Sequence, residues 1–509
     1  MSRWDAFPCD RWAALLAAAI TLVHLATAGG YGIFRDELYY LACSRHLDWG
    51  YVDHPPMVAA LAWLVRHTLG TSLLAIRLWP ALAAGITVVL TATIARQLGG
   101  GRFAQSLAGL AVALAPQYLG ILSIFSMNAV DLVVWTGLAL VLVVILKTDD
   151  RRMWLLFGAI AGLGLENKLS VLFLGFGVAA GLVAARQWRH LRDHRLWLGA
   201  GLAALLVAPH IAWQAIHGWP TAEFVRRATE TKNVAFSPGD FFAQQVLIMN
   251  PAALPLWLAG LGYLLFAAGG RPYRALGFAY VAVLLLMSTQ NAKPYYLSPI
   301  YPMLLAPGAL VVERAAQAGR WGWLRPASLT VLAASGALFA PLAKPLLPVE
   351  TYVRYAATLG IKPGTDERHR LGRLPQFFSD MHGWRELAEA VATVHRALPA
   401  ADRARACVFA QDYGQAGAID LFGPDLGLPR AISGHNSYWL WGPEDCDGSV
   451  IIVIGGQRDD LAPLFNDVEE AGRFECRDCM PYENGLILWV ARGLRVPLAE
   501  AWPRVKHFD

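Results

Sequence analysis

The sequence predicts a mainly α-helical, polytopic membrane protein of about eleven transmembrane helices, followed by a C-terminal α/β domain outside the cytoplasm. Three observations predict it. Of 509 residues, 56% are hydrophobic and 16% charged, against about 25% charged in soluble domains, and the mean hydropathy is +0.40. Apolar runs of spanning length, about 20 residues each, recur up to about residue 343. The net charge of +5 is the sum of two unlike parts: residues 1–345 hold 26 Lys and Arg against 15 Asp and Glu, residues 346–509 hold 17 against 23. The sign changes where the apolar runs stop, which divides the chain into a basic spanning body, 1–345, and an acidic soluble domain, 346–509. This composition excludes a disordered chain and a purely water-soluble enzyme. The basic residues lie between spans and form no continuous patch, so nucleic acid is excluded as a partner.

The spans are read at 11–28, 73–95, 103–121, 129–146, 153–166, 168–185, 196–216, 242–267, 273–289, 295–312 and 326–343. The first, preceded by Arg3 and Arg11, looks like a signal-peptide core; it lacks a cleavage site and ten spans follow it, so it reads as a retained anchor. Glu166, Asn167 and Lys168 interrupt the apolar stretch 153–185, a costly arrangement unless they lie at a boundary or in a cavity. With a cytoplasmic N-terminus, the connections on that side are basic: Arg96 and Arg102, Lys147 with Arg151 and Arg152, four arginines over 186–195, Arg271 and Arg274, then Arg314, Arg320 and Arg325. An odd number of spans then places 346–509 on the periplasmic or extracellular side of a bacterial inner membrane. The first exterior loop, 29–72, carries apolar and aromatic residues at helical spacing up to Pro55-Pro56 and is expected to form short amphipathic helices along the membrane interface. In the tail, 384–398 reads as an amphipathic helix, and 407–410, 450–454 and 486–490 as strands. Its cysteines, Cys407, Cys446, Cys476 and Cys479, predict one or two disulfides in preference to a metal site, because no second CxxC or paired His accompanies Cys476-Arg-Asp-Cys479.

The unusual chemistry gathers at the exterior ends. Asp36 and Glu37 are adjacent carboxylates at the exit of a span among Phe34, Leu38, Tyr39 and Tyr40, a poorly hydrated setting suited to a general base; the plainer alternative is that Asp36 caps a helix beginning at Glu37. Asp53 and His54 precede Pro55-Pro56, where His54 could meet an anionic headgroup or the pair could cap the next helix. Asn128 and Asp131 begin one span, Glu166 to Lys168 form a turn, and Lys293, Tyr295 and Tyr296 begin another. Ionisable groups at such depth are functional candidates, and lysines with tyrosines could form a donor-rich cup for a phosphate; taken singly, Lys168 or Lys293 could also snorkel to headgroups. Asp412-Tyr413-Gly414 and the loop 433–439 could touch a glycan or close the domain.

Four motifs in order, Arg35-Asp36-Glu37-Leu38-Tyr39-Tyr40, Gly50-Tyr51-Val52-Asp53-His54-Pro55-Pro56, the run 213–220 and the run 293–302, resemble those of bacterial family-39 glycosyltransferases. These are related to protein O-mannosyltransferases and lipid A aminoarabinose transferases and have the C-type glycosyltransferase fold. The resemblance covers residues 1 to about 320. It implies transfer of a sugar, with inversion, from a polyprenyl-phosphate donor to a hydroxyl of a lipid, glycan or protein acceptor at the outer membrane face, with membrane lipids as surroundings. By motif position Asp36 is the implied base, with Glu37 beside it, and Asp131 matches the family's acidic residue at the fourth span. Lys293, Tyr295 and Tyr296 match its cluster facing the donor phosphate. His54 stands where the aminoarabinose branch has Lys. Together these give Asp36, Glu37 and Asp131 as catalytic candidates; His54, Lys168, Lys293, Tyr295 and Tyr296 as phosphate partners; and Tyr39, Tyr40, Asp53 and Asn128 as substrate contacts. No metal ligand or cofactor is assigned, although paired carboxylates are compatible with a divalent cation. Two alternatives belong to other classes: a transporter or lipid-linked-sugar flippase, for which mid-depth charges and broken, repeated helices would speak, and an anchored receptor or scaffold.

Overall fold

The computed structural model describes residues 9–290 and 292–509, so Arg3 lies outside the described residues. It divides into two compact units: Met1–Gly30 with Leu74–Ala212 and Val234–Tyr352, and Tyr31–Leu73 with Trp213–Asn233 and Val353–Asp509.

The first unit is helical. Four helices, Leu73–Gln97, Met127–Thr148, His194–Ile216 and Leu324–Ala343, are each long and apolar enough to cross a membrane, and up to six spans result if two bent pairs each count as one. Arg11–Ala26, Met153–Leu165 and Val171–Ala184 are shorter apolar helices at expected positions. Three expected spans are broken. Pro116 ends Arg102–Ala113 and opens Pro116–Ile121, because proline lacks the N–H and keeps the preceding residue out of the helical region. Asn250, at φ 73, with Pro251 turns Pro238–Ile248 and the following helix through 98°. The segment 294–317 starts as a 3₁₀ turn, Pro294–Ile300, before Pro302–Gln317, with a bend of 55°. Apolar composition gave the location of these segments, and proline gave them corners.

The second unit is a mixed sheet with helices. Its strands, β1 Ala406–Ala410, β2 Ala431–Ser433, β3 Val450–Ile454, β4 Phe465–Phe474 and β5 Leu486–Leu494, lie in the order β2-β1-β3-β5-β4. β1 pairs in parallel with β2 and β3, and β5 runs antiparallel to β3 and β4. The central β3 is wholly buried, as a Val/Ile run covered on both faces should be. The helix Trp384–Ala397 appears as expected. Two disulfides, Cys407–Cys446 and Cys476–Cys479, occupy the expected cysteines, and no metal site forms from Cys476 and Cys479. The first-loop segment contributes Arg35–Cys43 and Met57–Thr68. Arg35–Cys43 departs from the interfacial amphipathic helix expected: every residue from Glu37 to Cys43 is buried in this unit, since its aromatics are covered by protein on all sides.

Within the first unit, Leu254–Phe266 crosses Pro302–Gln317 through two glycines. A Cβ on Gly260 would collide with the Leu304 carbonyl, and one on Gly308 with the Leu256 carbonyl. Small residues let spanning helices approach at backbone distance, whereas Gly262 on the same helix faces open space. Gly260→Val is expected to cost about 1–3 kcal/mol through overpacking and to lower the thermal midpoint of the detergent-solubilised protein, while Gly262→Ala leaves it unchanged; equal midpoints for both variants would refute the close crossing.

Candidate functional site

Two groups of the expected residues form, one in each unit. In the second unit the helix Arg35–Cys43 begins without a side-chain cap on the N-cap Phe34, and Glu37 Oε2 accepts the Phe34 N–H at 2.8 Å. Asp36 therefore sits inside the first turn, and the expected cap at Asp36 does not form. Glu37, fully buried, carries the capping contact. Asp36 keeps 33% side-chain exposure. Its Oδ1 accepts from the Tyr413 hydroxyl at 2.9 Å and lies 3.8 Å from Arg35 Nε.

This placement follows from local packing. Tyr413–Leu426 is capped by Asp412, whose Oδ1 accepts from Gly414 N and Gln415 N at 2.6 and 3.0 Å. On that helix, a Cβ at Gly414 would meet the Arg35 and Trp384 side chains, and one at Gly417 would meet Leu38. The two glycines let Arg35–Cys43 lie against Tyr413–Leu426, which brings the Tyr413 hydroxyl to Asp36. Arg35 is held by the Tyr482 hydroxyl at 2.8 Å and by Asp380 at 3.7 Å, and its guanidinium lies over the Tyr413 ring. Burial pushes the Asp380 carboxyl up to about 7 despite the Arg35 charge.

The other loop residues are committed internally. The Tyr39 hydroxyl donates to Asp53 at 2.8 Å and lies 2.7 Å from Ser437 Oγ, and burial raises the Asp53 carboxyl. Tyr39 and Tyr40 are buried. His54 is wholly enclosed among the rings of Tyr39, Tyr40 and Tyr51, with Nδ1 at 2.8 Å from the Pro55 carbonyl, and burial lowers its pKa. The His54 imidazole therefore has no exposed edge in this structure. Neither Asp53 nor His54 caps Met57–Thr68, which has no side-chain cap.

In the first unit the second group gathers around Lys168. Lys168 Nζ donates to Asn128 Oδ1 at 2.6 Å, lies 3.9 Å from Asp131 Oδ2, and stands over the rings of Tyr295 and Tyr296 at 5.7 and 5.0 Å. Asp131, 1% exposed, accepts from Ser170 Oγ at 2.6 Å. Asn167 Nδ2 donates to the Met127 carbonyl at 2.8 Å and ties the 166–170 turn to the helix start. Lys168 thus turns inward and does not snorkel. Lys293 is the half-buried N-cap residue of the turn that carries both tyrosines. Sequence reasoning missed Ser170, Asp380, Ser437 and Tyr482, and gave Arg35 no role; Tyr413 and Ser437 lay in motifs it had singled out, whereas Asp380 carried no pattern.

A cation site was tested at His435, His507 and Asp509, whose ligand atoms lie within 4.8 Å of one another. His435 Nδ1 accepts the Tyr413 N–H at 3.3 Å, which leaves the proton on Nε2, directed at the Asp509 carbonyl at 3.0 Å. Both His507 nitrogens lie 3.0 Å from carbonyls. Histidines that ligate metal do the reverse, donating from the far nitrogen and presenting a lone pair, so these residues do not fit a metal.

Residues 53–213 match the family described as dolichyl-phosphate-mannose-protein mannosyltransferase. No curated protein sequence matches the chain. Among solved structures, ArnT from Cupriavidus metallidurans in the apo state superposes with a TM-score of 0.63 at 14% identity, over 94% of this chain and 97% of that one. The chain has the ArnT fold. The crystal structure of ArnT bound to undecaprenyl phosphate gives 0.62 at 14% identity over the same shares. At this identity the likeness to ArnT is one of fold.

Two outcomes check these groups. Removing Lys168 leaves Asp131 as an uncompensated buried charge, a loss of about 3–5 kcal/mol for such groups, so Lys168→Met should lower the thermal midpoint and Asp131→Asn on top of it should restore part of the loss; strictly additive losses would dissolve the pair. For Asp380 the folded pKa of about 7 lies above the value of 3.8 for an ordinary Asp, so the stability it contributes is present at low pH and is lost as pH rises between those values. The midpoint of Asp380→Asn relative to the parent should rise from pH 5 to pH 8, and a constant difference would contradict the raised value.

Proposed function

We propose that this protein is a membrane glycosyltransferase that moves a sugar, with inversion, from a polyprenyl-phosphate donor to a hydroxyl of a lipid, glycan or protein acceptor. The observation that carries this reading is Asp36: a partly exposed first-loop carboxylate held by Tyr413, in a chain with the ArnT fold. The match of residues 53–213 to the mannosyltransferase family and the undecaprenyl phosphate bound to ArnT support a lipid-phosphate donor.

The chemistry needs little beyond these residues. A polyprenyl phosphate is a good leaving group, so the site must deprotonate the incoming hydroxyl and stabilise charge on the departing phosphate. Asp36 serves as base. Lys168 and Lys293, with Tyr295 and Tyr296, serve the phosphate; Asn128 and Asp131 orient Lys168. In this reading eleven spans cross a bacterial inner membrane, the N-terminus is cytoplasmic, and the 346–509 domain faces outward. No step is routed through a metal.

The two broken helix pairs favour a second reading, a lipid-linked-sugar transporter. Purified protein given a panel of polyprenyl-phosphate sugars, with mass analysis of lipid, glycan and protein acceptors, separates the two. Transfer by the parent is expected to fall at least about 100-fold in Asp36→Asn, as loss of a general base does, and by less in Tyr413→Phe. Full transfer by a folded Asp36→Asn would remove Asp36 as base, and movement of donor across vesicles without any product would favour the transporter.

A further inference from the structure

We propose that a cavity in the second unit is an acceptor subsite for a carboxylated sugar. The cavity has a volume of about 280 Å³, close to the lower end of small-ligand pockets at about 300 Å³, and so fits one sugar unit. Its wall includes Arg35, Lys232, Arg368, Tyr413, Tyr482 and Asp509. Arg35 and Tyr413 are the residues that contact Asp36, so the wall of the cavity is one contact from the base. The assignment to the acceptor rests on the function proposed above; the binding chemistry does not.

The basic edge is built from two chain segments. Asn233 and Glu367 form an antiparallel bridge, and Arg368 N donates to the Lys232 carbonyl at 2.8 Å. This holds two cationic residues side by side, a like-charge pairing that an anion would relieve, with Arg368 Nη1 also donating to the Glu230 carbonyl at 3.0 Å. The carboxylate next to Lys232, on Glu367, is 4.0 Å away, beyond hydrogen-bond distance. A carboxylate between Lys232 and Arg368 would take charge-assisted bonds from both. The opposite wall selects which anion enters. Asp412 and Asp509 also line the cavity, and they repel a dianionic phosphate monoester more strongly than a monoanion while accepting from sugar hydroxyls. The His369 and Tyr482 rings, 5.0 Å apart, supply flat faces for the apolar side of a pyranose.

The test is calorimetric titration of the purified full chain with glucuronate, glucose 6-phosphate and glucose. Glucuronate is expected to bind at least tenfold more tightly than either other sugar, and a Lys232→Ala, Arg368→Ala double variant with an unchanged thermal midpoint should lose at least tenfold of that affinity. Absence of glucuronate binding, equal binding of glucose, tighter binding of glucose 6-phosphate, or undiminished binding by the double variant would each overturn the proposal. Because no donor or transfer is involved, loss of glucuronate binding in a chain that still transfers sugar would sink this subsite alone. Binding in a chain with no transferase activity would sink the acceptor role alone.

Discussion

The second unit depends on the environment of one cation. Arg35 has a side chain only 12% exposed, and withdrawing an ion from water costs several kcal/mol unless charge and hydrogen bonds replace the solvent. The replacements come from distant parts of the chain: Asp380, Tyr482, the Tyr413 ring and the neighbouring Asp36. Arg35 N also donates to the Asp380 carbonyl at 2.9 Å. Satisfying Arg35 therefore fixes the first-loop helix against Tyr413–Leu426, and with it the direction of Asp36. The glycines at 414 and 417 are the steric condition for that contact, since either Cβ would stand where Arg35 or Leu38 now packs.

Lys168 poses the same problem within the first unit and meets it with different partners. An amide oxygen at 2.6 Å, a carboxylate at 3.9 Å and two tyrosine faces surround its ammonium. The carboxylate is itself bonded to Ser170, so the positive charge is cushioned more than neutralised. A cation held by amide and aromatic groups retains attraction for a further anion, unlike one locked in a short bidentate pair.

Much of this was legible in the sequence, with gaps that have physical causes. Apolar runs located the helices, yet run length cannot see a corner, so the breaks at Pro116, Pro251 and Pro302 were read through. The strands 406–410 and 450–454 showed as β-branched, bounded runs. Strand Phe465–Phe474 did not, because an edge strand alternating Asp467, Glu469, Glu470 and Arg473 with few buried residues has no apolar signature; Ala431–Ser433 is too short to show one. The acidic pair at 36 and 37 was visible, but which carboxylate faces outward is set by the helix start at Arg35 rather than at Glu37. Asp380 was invisible, because a buried partner is recognised only once the charge it serves is in place.

Four acids of the second unit near Arg35 and the first-loop helix differ in what their oxygens already meet. A general base must present an oxygen with a lone pair to the incoming hydroxyl. Glu37 gives an oxygen to the Phe34 amide and is fully enclosed. Asp53 takes the Tyr39 hydroxyl, and burial biases it toward the protonated form. Asp380 is buried against Arg35 and similarly biased. Asp36 keeps 33% side-chain exposure, and its contacts are confined to one oxygen, Oδ1. Under the proposed function Oδ2 is the atom to receive the proton, with the Tyr413 hydroxyl held on Oδ1. Tyr413 and the first-loop carboxylate thus meet within the second unit, and under the proposed function that contact orients the base.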